Sequence, residues 1–324
     1  MNKALICGIS GQDGAYLAQL LLDKGYEVWG TSRDAQVAGF GHLVSLGLKK
    51  RVHLLSMAPN DFRSVLTALT RSEPDEIYHL AGQSSVGLSF EQPAETLESI
   101  TLSTLNLLEA IRFLGKPIKF YHAGSSECFG DHGLQAITEE TSFRPRSPYG
   151  VAKSSAHWLV ANYREAYGLY ACNGILFNHE SPLRPERFVT QKIVSAACRI
   201  AQGSSEKLTL GRLDIIRDWG WAPEYVDAMW RMLQQDRADD YIIATGEANS
   251  LEDFVAEAFA VLGLDWRDYV NVDHSLFRPT DLARSQGCAD KAFDKLGWRA
   301  RFKMRDVVRK MIECAQADSL LRHD

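Results

Sequence analysis

Tyr149 and Lys153 stand four residues apart in a stretch that reads as one helix, 22 residues after the triplet Ser125-Ser126-Glu127. A Y-x-x-x-K pair places a phenol and an ammonium on one helical face. A phenol ionises at about pH 10, and a fixed positive charge beside it favours the phenolate. The expectation is a tyrosine that takes a proton from a sugar hydroxyl while a nicotinamide takes the hydride. Alone, the spacing equally describes a solvated helix face, so the weight falls on the neighbouring motifs.

Ser125 and Ser126 close an apolar run, and a hydroxyl there can donate to an oxygen that becomes a ketone. Glu127 brings a different tool, because a carboxylate beside a carbon acidified by an adjacent ketone can serve as general base. The turn Gly8-Ile9-Ser10-Gly11-Gln12-Asp13-Gly14 follows the first apolar run and opens a helical pattern. Glycines here let the backbone approach a diphosphate at a helix N-terminus. Thr31-Ser32-Arg33 ends the second run, where an acid would hold the ribose 2′-hydroxyl of NAD. Arg33 offers a 2′-phosphate partner instead, which favours NADP with NAD as the alternative, and Asp34 beside it offers a surface ion pair as the bland reading. Leu80-Ala81-Gly82-Gln83-Ser84-Ser85 supplies small residues for close passage of a cofactor.

These residues need a scaffold, and the pattern provides one. Apolar runs at Ala4–Cys7, Glu27–Thr31, Val52–Leu55, Ile77–Ala81, Ile118–Ala123 and Ala171–Phe177 read as strands. Helical patterns cover Gly14–Lys24, Ala94–Leu114 and Pro148–Tyr167. That alternation is the rhythm of an α/β, doubly wound, Rossmann-like parallel sheet. Beyond Phe177 we expect a smaller mixed α/β substrate domain. It should contain helices near Thr190–Ala201 and Tyr225–Gln234, an Arg217-Asp218-Trp219-Gly220 turn, a strand at Tyr241–Ala244 and two further helices. The division expected is 1–177 for the dinucleotide, with returning segments near 214–246, and 178–324 mainly for the substrate.

A chain of 324 residues with 45% apolar and 24% charged residues is an ordinary globular composition with ample core. A net charge of −5 argues against nucleic acid or an anionic membrane as partner. The six cysteines are scattered without a C-x-x-C pair, so no metal site is expected and buried free thiols in a reducing compartment are. The opening Met-Asn-Lys leads into a strand too short for a signal segment, and no apolar run approaches a membrane span. A cytoplasmic enzyme is the expectation.

The chain resembles the extended short-chain dehydrogenase/reductases, and among them the family of GDP-mannose 4,6-dehydratases. The resemblance is carried by G-I-S-G-Q-D-G-A at Gly8–Ala15, Q-S-S-V-G at Gln83–Gly87, F-Y-H-A-G-S-S-E-C-F-G at Phe120–Gly130 and P-R-S-P-Y-G-V-A-K at Pro145–Lys153. It continues through G-I-L-F-N-H-E-S-P-L-R at Gly174–Arg184, R-D-W-G at Arg217–Gly220 and F-R-P-T-D at Phe277–Asp281. It implies that Ser125, Glu127, Tyr149 and Lys153 are catalytic. It further implies cofactor contacts from Gly8, Gly11, Gln12, Asp13, Gly14, Arg33, Leu80, Ala81, Gln83, Ser84, Tyr149, Lys153, His179 and Arg184. Substrate contacts would come from Ser84, Ser126, Asn178, Lys192, Arg217 and Arg278. The implied reaction turns GDP-mannose into GDP-4-keto-6-deoxy-mannose plus water, using bound NADP as a recycled oxidant in a homodimer or homotetramer.

The chain departs from the family pattern in several places. S-S-E replaces T-S-E, Arg33-Asp34 replaces tandem arginines, and Ser56 stands where an acid is expected. Glu95 stands for a tyrosine, and Asp281 for a glutamate. The rivals are a 4-keto-sugar reductase or epimerase, a dehydratase for another nucleotide-sugar such as a GDP-heptose, and a dinucleotide-sensing protein without turnover.

Overall fold

The fold comes from a computed structural model that describes residues 1–321. The chain begins with β1 (Lys3–Cys7), α1 (Gln12–Asp23), β2 (Glu27–Ser32), α2 (Gly41–Ser45), β3 (His53–Ser56), α3 (Phe62–Ser72) and β4 (Glu76–His79). It continues through α4 (Val86–Glu91), α5 (Pro93–Leu97), α6 (Ser103–Leu114), β5 (Lys119–Ser125), α7 (Pro148–Tyr167) and β6 (Ala171–Leu176). Among the described residues these strands, joined by a later β10, form a seven-stranded sheet in the order β10-β6-β5-β4-β1-β2-β3, every pair parallel. Helices on both faces bury the strands, so β4 and β6 are apolar or sealed along their whole length rather than alternating.

Local chemistry sets the ends of the helix that carries Tyr149 and Lys153. Ser147 caps α7 by accepting from the Gly150 N–H at 3.0 Å, Pro148 supplies its fixed φ at the first turn, and Gly168 ends it in the left-handed region.

The second half consists of β7 (Asn178–Glu180), α8 (Val189–Ala201), β8 (Leu208–Leu210), β9 (Ile216–Trp221), α9 (Ala222–Leu233), β10 (Tyr241–Ile243), β11 (Ala248–Ser250), α10 (Leu251–Val261), β12 (Val270–Val272), β13 (Arg284–Ser285), α11 (Asp290–Leu296) and α12 (Met304–Leu321). Strand β10 joins the large sheet beside β6, and α9 packs on α1. Strand β9 pairs with β7, β11 and β13 over a separate core built from α8, α10 and α12.

Several expectations are corrected. Arg217-Asp218-Trp219-Gly220 is not a turn but the interior of β9, the hub of the second sheet. Its charged residues are buried because the backbone answers them: Asp218 accepts from the Thr245 and Gly246 N–H groups, both at 2.9 Å. Ala94–Leu114 is not one regular helix. A π turn over Glu98–Leu102 separates α5 from α6 and widens the ladder there. The fourth strand ends at His79, not Ala81. Among the described residues three helices, not two, follow β10. The helix α3 went unread, although Asp61 caps it through the Arg63 and Ser64 N–H groups and Val65, Ala68 and Leu69 share its inner face. Of the thiols, Cys288 is half-buried and Cys314 exposed, while the other four are buried.

Candidate active site

The glycine turn is forced by space. A Cβ on Gly14 would lie 2.4 Å from the Gly8 carbonyl oxygen and 2.7 Å from the Ile9 Cα, and both obstacles are backbone. Gly8 has φ +91°, and a Cβ there would sit 2.9 Å from the Ala81 nitrogen, so β1 and β4 can end side by side only with glycine. The result is an open N-terminus for α1 with unused N–H groups.

The side chains of Gln12 and Asp13 reach across to the second half. Gln12 Nε2 donates to the His179 carbonyl at 3.2 Å, and its Oε1 accepts from Ser181 Oγ at 2.7 Å. His179 Nδ1 faces the Phe177 carbonyl at 2.7 Å and its Nε2 faces Asp13 Oδ2 at 2.9 Å. A ring with both nitrogens on oxygen acceptors satisfies both only as the imidazolium. Burial opposes that charge, but Asp13 outweighs it and raises the histidine above its ordinary value. Burial likewise pushes the Asp13 carboxyl up, and the charge and hydrogen bond of His179, the Gln12 hydrogen bond and the Arg184 charge together more than offset it, bringing it down to about 2. Arg184 is fixed by Glu180 through 2.7 and 3.2 Å contacts, and Thr190 Oγ1 donates to the same carboxylate at 2.8 Å.

A cleft of about 410 Å³ opens between these two halves. The sequence-expected catalytic residues Ser125, Glu127, Tyr149 and Lys153 line it together with Ser126. So do Asp13, Leu80, Ser84, His179 and Arg184 from the expected cofactor set, and Asn178, Lys192, Arg217 and Arg278 from the expected substrate set. Gly8, Gly11, Gln12, Gly14, Arg33, Ala81 and Gln83 do not form its wall. Gln83 is occupied in bracing its own loop, donating to the Ser85 carbonyl at 2.8 Å and to Thr96 Oγ1 at 3.2 Å. Arg33 projects into solvent at the end of β2.

Lys153 Nζ donates to the Ala123 carbonyl at 2.7 Å and lies 5.8 Å from the centre of the Tyr149 ring. Sequence reasoning expected the ammonium to bring the phenol down. In the structure burial dominates and pushes Tyr149 up, with a hydrogen bond from Ser125 pulling the other way, while burial lowers Lys153 to about 8. Both groups have left water, and desolvation disfavours each charged form. Glu127 is raised by burial; Arg217 and Arg278 pull it back, and Asp281 and Asp131 push it up again. Arg217 donates to the Ile216 and Leu282 carbonyls at 2.9 and 2.8 Å and to Asp281 at 3.1 Å. Arg278 lies 3.7 Å from the same carboxylate.

The geometry therefore joins a phenol, a buried carboxyl of raised pKa and a bank of guanidinium groups around one cleft. The family model described as GDP-mannose 4,6 dehydratase matches residues 5–311. The chain belongs to the GDP-mannose 4,6-dehydratase family. It is 46% identical to GDP-mannose 4,6 dehydratase 2 of Arabidopsis thaliana, over 96% of this chain and 86% of the relative. The same fold is found in a dTDP-glucose 4,6-dehydratase from Bacillus anthracis in complex with NAD, with TM-score 0.86, 17% identity and coverage of 98% and 97%. It is found also in the protein RMD from Pseudomonas aeruginosa complexed with NADPH, with TM-score 0.79, 23% identity and coverage of 98% and 100%.

Some wall residues of this family member escaped sequence reading. Glu180, the anchor of Arg184, and Arg187 and Arg212 at the rim all line the cleft. Glu180 could have been found from its place beside Asn178 and His179 in one short strand; the rim arginines carry no local signal.

Proposed function

We propose that this chain is a nucleotide-sugar 4,6-dehydratase that converts GDP-mannose into GDP-4-keto-6-deoxy-mannose and water. The observation that carries the reading is Glu127, a buried carboxyl of raised pKa in the same cleft as Tyr149 and Lys153. A reductase or a simple epimerase has no use for a base at C5.

A dinucleotide fits the chain, because the Gly8–Gly14 turn leaves no room for a side chain and opens the α1 N-terminus to a diphosphate. A nicotinamide bound beside Tyr149 and Lys153 would supply a recyclable hydride acceptor for the chemistry at C4 and C6. Tyr149 takes the proton of O4 while the Ser125 hydroxyl donates to that oxygen, and Lys153 holds the nicotinamide ribose. Burial raises Tyr149, so the phenol keeps its proton in the resting protein, with the Ser125 hydrogen bond opposing the rise. Glu127 removes the C5 proton, now acidic beside the C4 ketone, and gives a proton to the departing C6 hydroxyl; once C6 is reduced, C5 regains a proton, matched by the one Tyr149 took from O4. Arg217, Arg278, Lys192 and Asn178 hold the nucleotide diphosphate and sugar. Gly8, Gly11, Gln12, Asp13, Gly14, Leu80, Ala81, Gln83, Ser84, His179 and Arg184 form the cofactor side, and Ser84 and Ser126 also meet the substrate.

The cofactor is NADP in this reading. Arg33 has no ion pair among the described residues, and Asp34 spends its carboxylate on the Gln36 and Val37 N–H groups at 2.9 and 3.2 Å. The guanidinium is thereby left for a 2′-phosphate. Residues 1–177, with returning segments near 214–246, serve the cofactor, and residues 178–324 mainly serve the substrate. Val151 and Trp158 of α7 expose apolar surface, with Trp158 61% accessible, which supports a helix-paired homodimer or a homotetramer. No helix among the described residues is long and apolar enough to cross a membrane, and we place the enzyme in the cytoplasm.

The deciding experiment incubates the holoenzyme with GDP-, UDP- and dTDP-hexoses and weighs the products. Loss of one water confined to GDP-mannose supports the reading. Stoichiometric consumption of reduced cofactor, or loss of water only from another nucleotide-sugar, overturns it.

A further inference from the structure

A polar row crosses the sheet beneath the catalytic helix. His79 of β4 stands opposite His122 of β5, and His122 opposite Asn173 of β6, so the three share one face. Asp240, just before β10, continues the row by accepting from Asn173 Nδ2 at 3.0 Å. On α7, Lys153, His157 and Arg164 lie above it, and Arg164 pairs with Asp240 at 2.8 and 2.9 Å. Such a row inside a parallel sheet is costly unless every polar atom is answered.

Three buried ring nitrogens here lack protein partners, His79 Nδ1, His122 Nε2 and His157 Nδ1, and for the first two the protonation follows from their neighbours. Ser103 Oγ spends its single proton on the Ser99 carbonyl, at 2.7 Å, or on the Ile100 carbonyl, at 3.0 Å. Toward His79 Nε2, 3.1 Å away, it can only accept, so Nε2 carries the ring proton and Nδ1 is bare. Asn173 turns its amide nitrogen to Asp240 and the His157 carbonyl, so its oxygen faces His122 Nδ1 at 2.9 Å. His122 therefore carries its proton on Nδ1 and leaves Nε2 bare. Both bare nitrogens are sealed from solvent, in residues 2% and 1% exposed, and neither has a partner. The ring centres are 5.9 Å apart and the rings are tilted by 42°, so the two imidazoles are neighbours on that face. The charge of Lys153 reaches both rings. Burial holds them neutral, pushing His79 down to about 3 and His122 well below its ordinary value.

We propose that His79 and His122 together seat one ordered water that accepts a hydrogen bond from Lys153 and donates one to each ring, making both histidines positioning residues for the catalytic ammonium. A buried water wants about three partners, and this site offers one donor and two acceptors. Lys153 has three protons: one goes to Ala123, one to this water, and one remains for the cleft. The row does not conduct protons outward to the more accessible His157 and Asp240, because the Asn173 amide in its middle passes no proton on. It braces. The other charged or titratable groups facing Lys153 are Tyr149 on its own helix, Cys128 after β5 and Asp13 on α1; His157 faces His122.

The inference rests on the role given to Lys153 above, so its first test is independent of turnover. Nitrogen-15 spectra of the resting, histidine-labelled protein should show His79 as the Nε2–H tautomer and His122 as the Nδ1–H tautomer, both neutral from about pH 5 to about pH 9. The opposite tautomer in either ring overturns the proposal. Its second test removes both acceptors. A hydrogen bond to the ammonium favours its charged form, so His79→Leu with His122→Leu should lower the Lys153 pKa by about one pH unit. This is read from the Lys153 Nζ chemical shift and from the alkaline limb of kcat/KM. His122→Gln, whose amide oxygen still accepts, should restore most of that shift, whereas a purely structural role would change melting temperature without moving the limb. An unmoved Lys153 titration in a folded variant overturns the proposal. Should the double variant fail to fold, His122→Gln against His122→Leu in the wild-type background decides by the same reading. If no hexose is turned over, the Nζ titration still separates a failed water site from a failed functional assignment.

Discussion

Replacing Glu127 by Gln should stop the reaction between its two hydride transfers. The side chain keeps its size and an acceptor oxygen but can no longer take up and release a proton. The fold should tolerate this, because Arg217 retains Asp281 at 3.1 Å and two backbone carbonyls. One general acid–base group is worth roughly 10²–10⁴-fold. In the proposed mechanism Glu127 serves twice in a single elimination, at C5 and at the departing hydroxyl, and the two effects would overlap rather than multiply. We therefore expect turnover to fall by about 10³–10⁴-fold, a barrier increase of about 4–5.5 kcal/mol. Abstraction at C4, assigned to Tyr149 in the proposed mechanism, should survive. On mixing with GDP-mannose, stopped-flow absorbance should show reduced nicotinamide accumulating to about one equivalent per site, where the wild type shows almost none. A C4-deuterated substrate should slow that rise. Turnover within about tenfold of wild type would refute the assignment of Glu127. Lost turnover without any reduced nicotinamide would move Glu127 from elimination to substrate positioning.

Tyr149→Phe should lose about 10²–10⁴-fold in turnover and, unlike Glu127→Gln, accumulate no reduced nicotinamide in the same stopped-flow experiment. Asp281→Asn removes an acid that pushes Glu127 up, so the carboxyl should ionise at lower pH and the acidic limb of kcat/KM should move down, measurable in a pH–rate profile. Gly14→Ala places a Cβ 2.4 Å from the Gly8 oxygen and should cost on the order of 3 kcal/mol in urea unfolding, with cofactor binding lost. The His179–Asp13 pair gives stability a pH signature. His179 is raised, so its contribution is complete below about pH 6.5 and fades as pH climbs through its folded value. Asp13 is lowered, so its contribution is complete above about pH 4 and fades as pH falls toward 2. Urea unfolding across pH should show both losses, and His179→Gln should flatten the upper one.

The strands of the large sheet and the helix of Tyr149 were legible because local signals agree there. Continuous apolar runs mark doubly covered strands, and Ser147, Pro148 and Gly168 bound α7 within the sequence itself. Strand β9 was not legible. Arg217 and Asp218 interrupt its apolar run, and what makes them strand residues is non-local: carbonyls at Ile216 and Leu282, and N–H groups at Thr245 and Gly246. The π turn before α6 was hidden for a similar reason, since its register is set by Ser99 accepting from the Gln83 N–H and by Ile100 packing on Tyr149 and Ala152. At the site, residue types predicted which side chains meet in the cleft but not the state of Tyr149. Spacing gives the neighbour, whereas burial gives the larger effect and is a property of the whole fold.

The same non-local contacts explain how one cleft keeps two sets of groups in step. Strand β7 pairs with β9, setting Asn178 opposite Trp219, and Arg217 lies two residues earlier on β9. Strand β7 is also tied to the glycine turn through Gln12, Asp13, His179 and Ser181. Any shift of the turn must therefore carry β7, and with it β9 and its arginine, rather than move alone. Hydride leaves C4 and returns at C6 of one ring, so a dehydratase needs the nicotinamide side and the diphosphate side held at a constant separation throughout. A charged hydrogen-bonded latch at the junction provides that more stiffly than an apolar contact, because its geometry is directional and its imidazolium cannot turn away without leaving a buried charge unanswered.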